Sequence, residues 1–370
     1  MSTTLHKLSI HGFESIRSLG HFELRPINIL IGANGAGKSN FIEAFHFLHE
    51  IIEENLQGYI KQIGNADALL YHGPKVTKEM EFMLELETAK YKVILKSNAQ
   101  GDLYYGDESF YYDKIYLCRQ PYKPKKSNHD DLSAALSSCI IYHFHDTSQL
   151  AGLRRPVEIN QNQKLSADAS NLAAYLYRIQ LEWPAHYKNI RDYVRLAAPF
   201  IEDFVLRENP IRKNHIHLEW KQKNLDYIFN ANHLSDGTMR FIALATALLQ
   251  PSDLRPQIII IDEPELGLHP SAIQFLAGMI KKARFDDPGQ MQKHQIIIST
   301  QSPQLVSEFE PEDVVVVERK EGESVFQRLN TENLKEWLED YSLGELWQKN
   351  IFGGKPQPEL QELSQGAMTR

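Results

Sequence analysis

A glycine-rich turn between an apolar strand and a helix is the feature that most constrains what this chain can fold into. The run Gly32–Ser39 fits the pattern G-x-x-x-x-G-K-S. The apolar residues 27–31 before it predict a buried strand, and the apolar spacing of residues 41–48 after it predicts a helix. Such a turn directs backbone N–H groups, and the positive end of a helix dipole, toward a phosphate chain. The sequence therefore predicts a phosphate-binding loop in an α/β fold.

The residues of this loop have separate expected roles. The Lys38 ammonium is expected to reach the β- and γ-phosphates, and the Ser39 hydroxyl is expected to bind Mg²⁺. The alternative is a glycine turn followed by a lysine by chance, which the flanking strand and helix disfavour. The predicted nucleotide contacts are Gly32, Asn34, Gly35, Ala36, Gly37, Lys38, Ser39 and Asn40.

A second candidate segment ends a strand of four isoleucines, residues 258–261, with the acids Asp262 and Glu263. The carboxyl edge of a central strand faces the ligand crevice in open α/β sheets. In a phosphoryl-transfer site Asp262 would hold Mg²⁺, and Glu263 would orient the attacking water or accept its proton. The alternative is an acidic surface turn.

Two further segments supply polar groups next to predicted elements. Ser235 and Gly237 open a long apolar-faced helix, and helix capping by Ser235 would by itself explain that serine. Gln301 follows the apolar strand 296–298. Its amide can donate a hydrogen bond to a γ-phosphate, or it can satisfy the strand end.

Taken together, the segments 32–39, 234–240 and 258–270 resemble those of the RecF and SMC branch of ABC-type ATPases. The chain is most similar to the compact AAA_21 or RecF-like ATPases of bacteria, over most of residues 5–350. The resemblance implies ATP and Mg²⁺ as cofactors, ATP hydrolysis with Glu263 and Gln301 as catalytic residues, and Asp262 with Ser39 at the metal.

The resemblance also implies a homodimer with ATP held between the subunits. Ser235 and Gly237 of one subunit would bind the γ-phosphate held by the other, and the start of their helix would be an anion site. The family more usually has a histidine at the position of Gln301, and a glutamine cannot hold a positive charge there. We therefore expect slow hydrolysis of ATP.

The predicted fold class is an α/β P-loop NTPase: an ABC-type ATPase head with a mixed or parallel core sheet, an N-terminal antiparallel β lobe, a helical subdomain and no long coiled coil. Alternating residues over 79–117 predict the lobe. We expect a single module over residues 1–350. Its predicted parts are the Walker A part with the lobe (1–150), a helical and strand insertion (151–233), the signature, Walker B and switch part (234–350), and a flexible tail (351–370).

By resemblance, the chain would drive or license a DNA-directed process, in DNA repair or anti-phage defence, with a nuclease-type partner. Forty Lys and Arg against forty-eight Asp and Glu leave a net charge of -8, so any DNA contact must be local. The aromatic and lysine-rich stretch 104–126 could make it, or could be a solvated sheet edge. The alternative functions are a nucleotide-gated protein-interaction switch with little turnover and the ATPase subunit of a transporter.

The remaining sequence features point to a cytoplasmic protein without a membrane segment. There are two cysteines, no cationic and apolar leader, and no apolar run long enough to span a bilayer. His143 and His145 could contact a metal, a nucleotide edge or only the protein. The glutamine of the Q-loop, Gln120 or Gln149, stays open.

Overall fold

The computed structural model describes residues 4–64, 66–87, 89–98, 101–112, 115–118, 136, 138–285 and 294–355. Two six-stranded sheets dominate it, with helix α1 packed between them. The central sheet consists of β3 (Ile27–Ile31), β8 (Cys139–Tyr142), β14 (Ile258–Asp262), β15 (Gln295–Ser299), β16 (Val314–Lys320) and β17 (Glu323–Arg328).

The central sheet has the order β17-β16-β3-β15-β14-β8, and every neighbouring pair is parallel except β16 with β17. The apolar runs of β3, β14, β15 and β16 are buried on both faces, which is why they form a parallel sheet. This confirms the predicted core sheet. Strand β8 at its edge has no counterpart in the sequence prediction.

The N-terminal lobe is an antiparallel sheet of order β2-β1-β4-β5-β6-β7. The strands predicted at 80–86 and 91–96 are present, and the run 103–117, predicted to extend this sheet, supplies its last two strands. The first two strands of the chain join the same sheet and extend it. The lobe strands are β1 (Leu5–Phe13), β2 (Ile16–Glu23), β4 (Glu79–Leu86), β5 (Ala89–Ser97), β6 (Leu103–Tyr112) and β7 (Ile115–Cys118).

Helices cover both faces of the central sheet. One face packs against α1 and the lobe, and the other packs against the helices from 172 onward. The helices of the described residues are α1 (Lys38–Ile52), α2 (Leu56–Ile63), α3 (Leu172–Glu182), α4 (Pro184–Ala197), α5 (Asp236–Leu249), α6 (Pro270–Ala283), α7 (Pro303–Val306), α8 (Thr331–Leu338) and α9 (Leu343–Gln348).

Short strands fill the segment between α4 and α5. Strands β10 (Ile201–Val205), β12 (Glu219–Gln222) and β13 (Ile228–Asn230) form one small sheet, and β9 (Val157–Glu158) pairs with β11 (His215–Ile216). Their buried side chains share a core with α3, α4, α5 and α6. The segment 151–233, predicted to be an insertion, is therefore packed onto α5.

The segment 351–355, predicted to belong to a loose tail, is packed against the central sheet. Gly354 is buried, and its N–H donates to Glu318 Oε1 at 3.0 Å. A Cβ on Gly354 would lie 3.7 Å from the Cα of Gly32. Within the predicted tail, Gly354 therefore lies against the start of the glycine-rich loop. Residues 356–370 lie outside the described part.

The parallel register places three strand ends at one edge of the central sheet. Asp262 pairs with Ser299, and Ser299 pairs with Leu30. The glycine-rich loop, the paired acids and Gln301 therefore leave the sheet at the same edge. Over the residues that the structure describes, no helix is both long and apolar enough to cross a membrane.

Candidate nucleotide-binding site

The glycine-rich loop is shaped by close contacts with the β16–β17 hairpin. Gly32 has a φ of +147°, and a Cβ there would lie 2.1 Å from the Val317 carbonyl oxygen. Gly37 has a φ of +111°, and its Cβ would lie 2.0 Å from Ser324 Oγ. Both positions require glycine, since other residues rarely adopt these angles and would collide with the hairpin.

Helix α1 begins at this loop without a side-chain cap. Its N-cap is Gly37, which has no side chain to accept from the first-turn N–H groups. These donors and the helix dipole favour an anion such as a phosphate. Ser39 is exposed in the first turn. Asn40 instead donates from Nδ2 to Ser15 Oγ at 2.8 Å, so its amide is directed to the β1–β2 turn.

Lys38 is buried and donates from Nζ to the carbonyl oxygens of its own loop. The distances are 2.8 Å to Gly32 O and 3.1 Å to Ala33 O. Burial lowers the pKa of Lys38, and the negative charges of Glu263, Asp262 and Glu265 oppose that effect. The predicted lysine and the predicted acids lie at the same edge of the central sheet, where β3, β15 and β14 end side by side.

The paired acids contact the end of the adjacent strand. Ser299 Oγ donates to Asp262 Oδ1. Glu263 has a φ of +45°, and its N–H donates to the Ser299 carbonyl at 2.9 Å. The Gln301 side chain donates from Nε2 to Glu263 Oε1. Both residues predicted to be catalytic are thus joined by a hydrogen bond.

The sequence reasoning missed a third acid, Glu265, which accepts hydrogen bonds from Thr300 Oγ1 at 2.7 Å and from the Gln301 N–H at 2.9 Å. Burial raises the pKa of Glu265, and the charge of Glu263 acts in the same direction. The available signal was a third carboxylate in the run D-E-P-E.

The signature segment is already capped within its own chain. Ser235 Oγ accepts from the Thr238 N–H at 3.2 Å and lies 2.9 Å from Thr238 Oγ1. The capping alternative given for Ser235 is therefore present within the single chain. A Cβ on Gly237 would lie 2.3 Å from the Gly267 carbonyl oxygen. Gly237 is thus needed for packing on the turn after the acids. In the described residues neither position hydrogen-bonds to the loop at 32–39.

His143 and His145 follow strand β8 and sit beside the acids. Their ring centroids are 6.4 Å apart, and Arg240 of α5 donates to the carbonyl oxygens of Phe144 and His145 at 2.7 and 2.9 Å. Burial and His145 lower the pKa of His143, and the charge of Asp262 opposes them. Within the described ranges no group of three or more His, Cys, Asp or Glu is placed to hold a metal ion.

The two candidates for the Q-loop glutamine are not separated by the structure. Gln149 is exposed beyond β8, and Gln120 lies outside the described residues, as do the lysines at 123–126.

The mixed sheet and the antiparallel lobe give the chain the fold of the ABC-type ATPase heads of the RecF and SMC kind. Residues 27–307 match the model of the family AAA_21, described as "AAA domain, putative AbiEii toxin, Type IV TA system". The chain belongs to this family. The resemblance and the fold class predicted from the sequence are confirmed.

Relatives and solved structures agree with this assignment. DNA replication and repair protein RecF of Porphyromonas gingivalis, in strains ATCC 33277 and W83, is 23% identical over 385 residues, which cover 94% of this chain and 99% of the relative. An SmcHead bound to the C-winged helix domain of ScpA superposes with a TM-score of 0.60 at 16% identity, over 89% of this chain and 99% of that one. The Smc head domain with an extended coiled coil, bound to the C-terminal domain of ScpA and derived from Pyrococcus furiosus, superposes with a TM-score of 0.58 at 15% identity. The superposition covers 91% of this chain and 98% of that one.

Proposed function

We propose that this chain binds and hydrolyses Mg-ATP, dimerises around it, and drives or licenses a DNA-directed process. The observation that carries the proposal is the convergence of Lys38, Asp262 and Glu263 at the end of the central sheet, with Gln301 hydrogen-bonded to Glu263. This is the set of groups that phosphoryl transfer to water requires: a phosphate cradle, a metal ligand and a base.

In this proposal one set of groups in the chain binds Mg-ATP and another acts in its hydrolysis. The open N-terminus of α1 and the Lys38 ammonium bind the phosphates, and the hydroxyl of Ser39 and the carboxylate of Asp262 are the oxygen ligands that Mg²⁺ prefers. Bound Mg²⁺ would neutralise phosphate charge. Glu263 accepts the proton of the attacking water, and Gln301 holds that carboxylate in place.

A cavity beside the loop supports the nucleoside part of the proposal. Its volume is about 450 Å³, which a nucleoside fits. It is bounded by the β1–β2 turn, the first turn of α1 and Arg319, whose Nη1 donates to the Gly35 carbonyl at 3.4 Å. Arg319 therefore lines the cavity and also contacts the phosphate-binding loop.

The DNA-directed part rests on relatives. The RecF proteins are named for DNA replication and repair, and the fold is that of SMC heads. The dimer, the nuclease-type partner and the role in repair or anti-phage defence are proposed from the family resemblance. A nucleotide-gated switch is the second candidate function, favoured by the Gln301 contact that already occupies Glu263 Oε1. None of the relatives described above is a transporter.

Steady-state phosphate release, with and without DNA, tests the proposal. The wild type is expected to hydrolyse ATP slowly, and Glu263→Gln is expected to lower the rate roughly a hundredfold or more because it removes the base. Glu339→Gln, at an exposed acid directly after α8, is the matched control. ATP binding without turnover in the wild type under every DNA condition would favour the switch instead.

A further inference from the structure

Glu265 reaches from the turn after β14 to the residues that follow β15. A single oxygen, Oε1, accepts from Thr300 Oγ1 at 2.7 Å and from the Gln301 N–H at 2.9 Å. Two donors on consecutive residues fix both the direction and the position of the backbone there. Glu265 therefore determines where the chain leaves the central sheet.

The same hydrogen bonds continue toward the next helix. Thr300 Oγ1 accepts from the Ser302 N–H at 3.0 Å, and Ser302 Oγ accepts from the Leu305 N–H at 3.2 Å, which caps α7. Gln301 lies between these anchored residues, and its side chain is exposed. Little packing holds the Gln301 side chain, so its reach to Glu263 depends on the position of its backbone.

The second oxygen of Glu265 has no such partner. Among the described residues Oε2 is buried and makes no hydrogen bond, which is unfavourable for a charged carboxylate. Burial raises the pKa of Glu265 accordingly. Only Oε1 accepts hydrogen bonds from Thr300 and Gln301. An uncharged side chain of the same shape would therefore supply the same acceptor.

We infer that Glu265 is a positioning residue that sets Gln301 against Glu263 by holding the Thr300 hydroxyl and the Gln301 N–H. It acts on the water-activating carboxylate through Gln301 and has no direct part in the chemistry. This inference rests on the proposed function, since it assigns Glu265 a role in the same hydrolytic step.

Two substitutions separate positioning from charge. Glu265→Ala removes the acceptor and is expected to lower kcat roughly ten- to a hundredfold while KM for ATP stays within about twofold. Glu265→Gln keeps an oxygen at Oε1 and is expected to restore kcat to within about threefold of the wild type. Glu339→Ala is the exposed control. A Glu265→Gln variant as slow as Glu265→Ala, or an unchanged kcat in Glu265→Ala, would overturn the inference.

A double-mutant cycle tests the path through Gln301. If Glu265 acts through that side chain, Glu265→Ala has no further effect on kcat in a Gln301→Ala background. If kcat of the double variant instead falls by the product of the two single losses, the inference is contradicted. If Glu265→Ala does not fold, Glu265→Asp, which withdraws the carboxylate by one methylene group, is expected to show the same loss of kcat, and wild-type kcat in it counts against positioning.

Hydrogen exchange gives a readout that does not depend on turnover. The Gln301 N–H is expected to exchange faster in Glu265→Ala than in the wild type, and at the wild-type rate in Glu265→Gln, when a peptide spanning 299–303 is followed by mass spectrometry. Unchanged exchange in Glu265→Ala would refute the inference. A wild type that releases no phosphate would refute the ATPase proposal, while the exchange result would still decide the role of Glu265.

Discussion

At the scale of single residues, Lys38 gives the sharpest test of nucleotide binding. Its ammonium is held by two carbonyl oxygens of its own loop, and phosphate oxygens would be stronger partners for it. Lys38→Ala is expected to weaken ATP binding about a hundredfold or more. A fluorescent ATP analogue measures the affinity, with the exposed Lys335→Ala as control. Wild-type affinity in Lys38→Ala would remove the loop from the binding site.

Glu14, in the cavity beside the loop, makes stability depend on pH. Burial, with a smaller contribution from Glu43, raises its pKa from 4.5 to about 7. The folded state therefore binds this proton more tightly than the unfolded state, and the contribution of Glu14 to stability is lost as pH rises from 4.5 to 7. Glu14→Gln is expected to flatten the melting temperature over that range and to raise it at pH 8. The exposed Glu336→Gln should change neither.

At the scale of elements, the start of helix α5 is packed on the turn at 266–269. A Cβ at Gly237 would meet the Gly267 carbonyl oxygen at 2.3 Å, so Gly237→Ala is expected to cost about 1–3 kcal/mol of stability even without nucleotide. Thermal unfolding measures it. Gly20→Ala, where no heavy atom lies within 4 Å, is the control. An unchanged melting temperature in Gly237→Ala would mean that the turn moves aside at little cost.

Elements with a strong local pattern could be predicted from the sequence, and those defined by distant partners could not. The four isoleucines of β14 are apolar on both faces, which is decisive for a buried parallel strand. Strand β8 has only four residues, and its place beside β14 depends on pairing across more than a hundred positions. Strands β1 and β2 are likewise predicted only as short strands, and the pairing of β1 with β4 and of β2 with β1 places them in the lobe.

In the candidate site, too, residues with a local sequence pattern could be predicted and residues defined by distant partners could not. The loop at 32–39 and the acids Asp262 and Glu263 carry their chemistry in adjacent residues, so their spacing suffices to predict them. Glu265 was missed because its two partners lie 35 and 36 residues away. Capping of α5 by Ser235 was the alternative that the N-cap preference of serine predicts. The structure shows this cap within a single chain.

At the scale of the whole molecule, the two helix N-termini of the ATPase motifs differ. The first turn of α1 has no side-chain cap, whereas α5 is capped by Ser235, which is exposed. One chain therefore has one helix N-terminus that is open to a phosphate, at α1. At the second, α5, a phosphate would compete with the Ser235 hydroxyl for the backbone N–H groups. In the proposed dimer, the γ-phosphate of the second copy would have to replace this cap as the acceptor at α5.

Glu263→Gln tests that dimer directly, because it removes the base but keeps the oxygen that accepts from Gln301. Hydrolysis is then blocked with the site otherwise intact, so ATP should accumulate between two chains. Light scattering on a sizing column is expected to give twice the 42.6 kDa of one chain with Mg-ATP and 42.6 kDa without it. Adding Lys38→Ala or Ser235→Arg should restore the monomer, the first by losing ATP and the second by blocking the partner's γ-phosphate. A monomer at saturating ATP and high protein concentration would show that the two motifs never share a nucleotide.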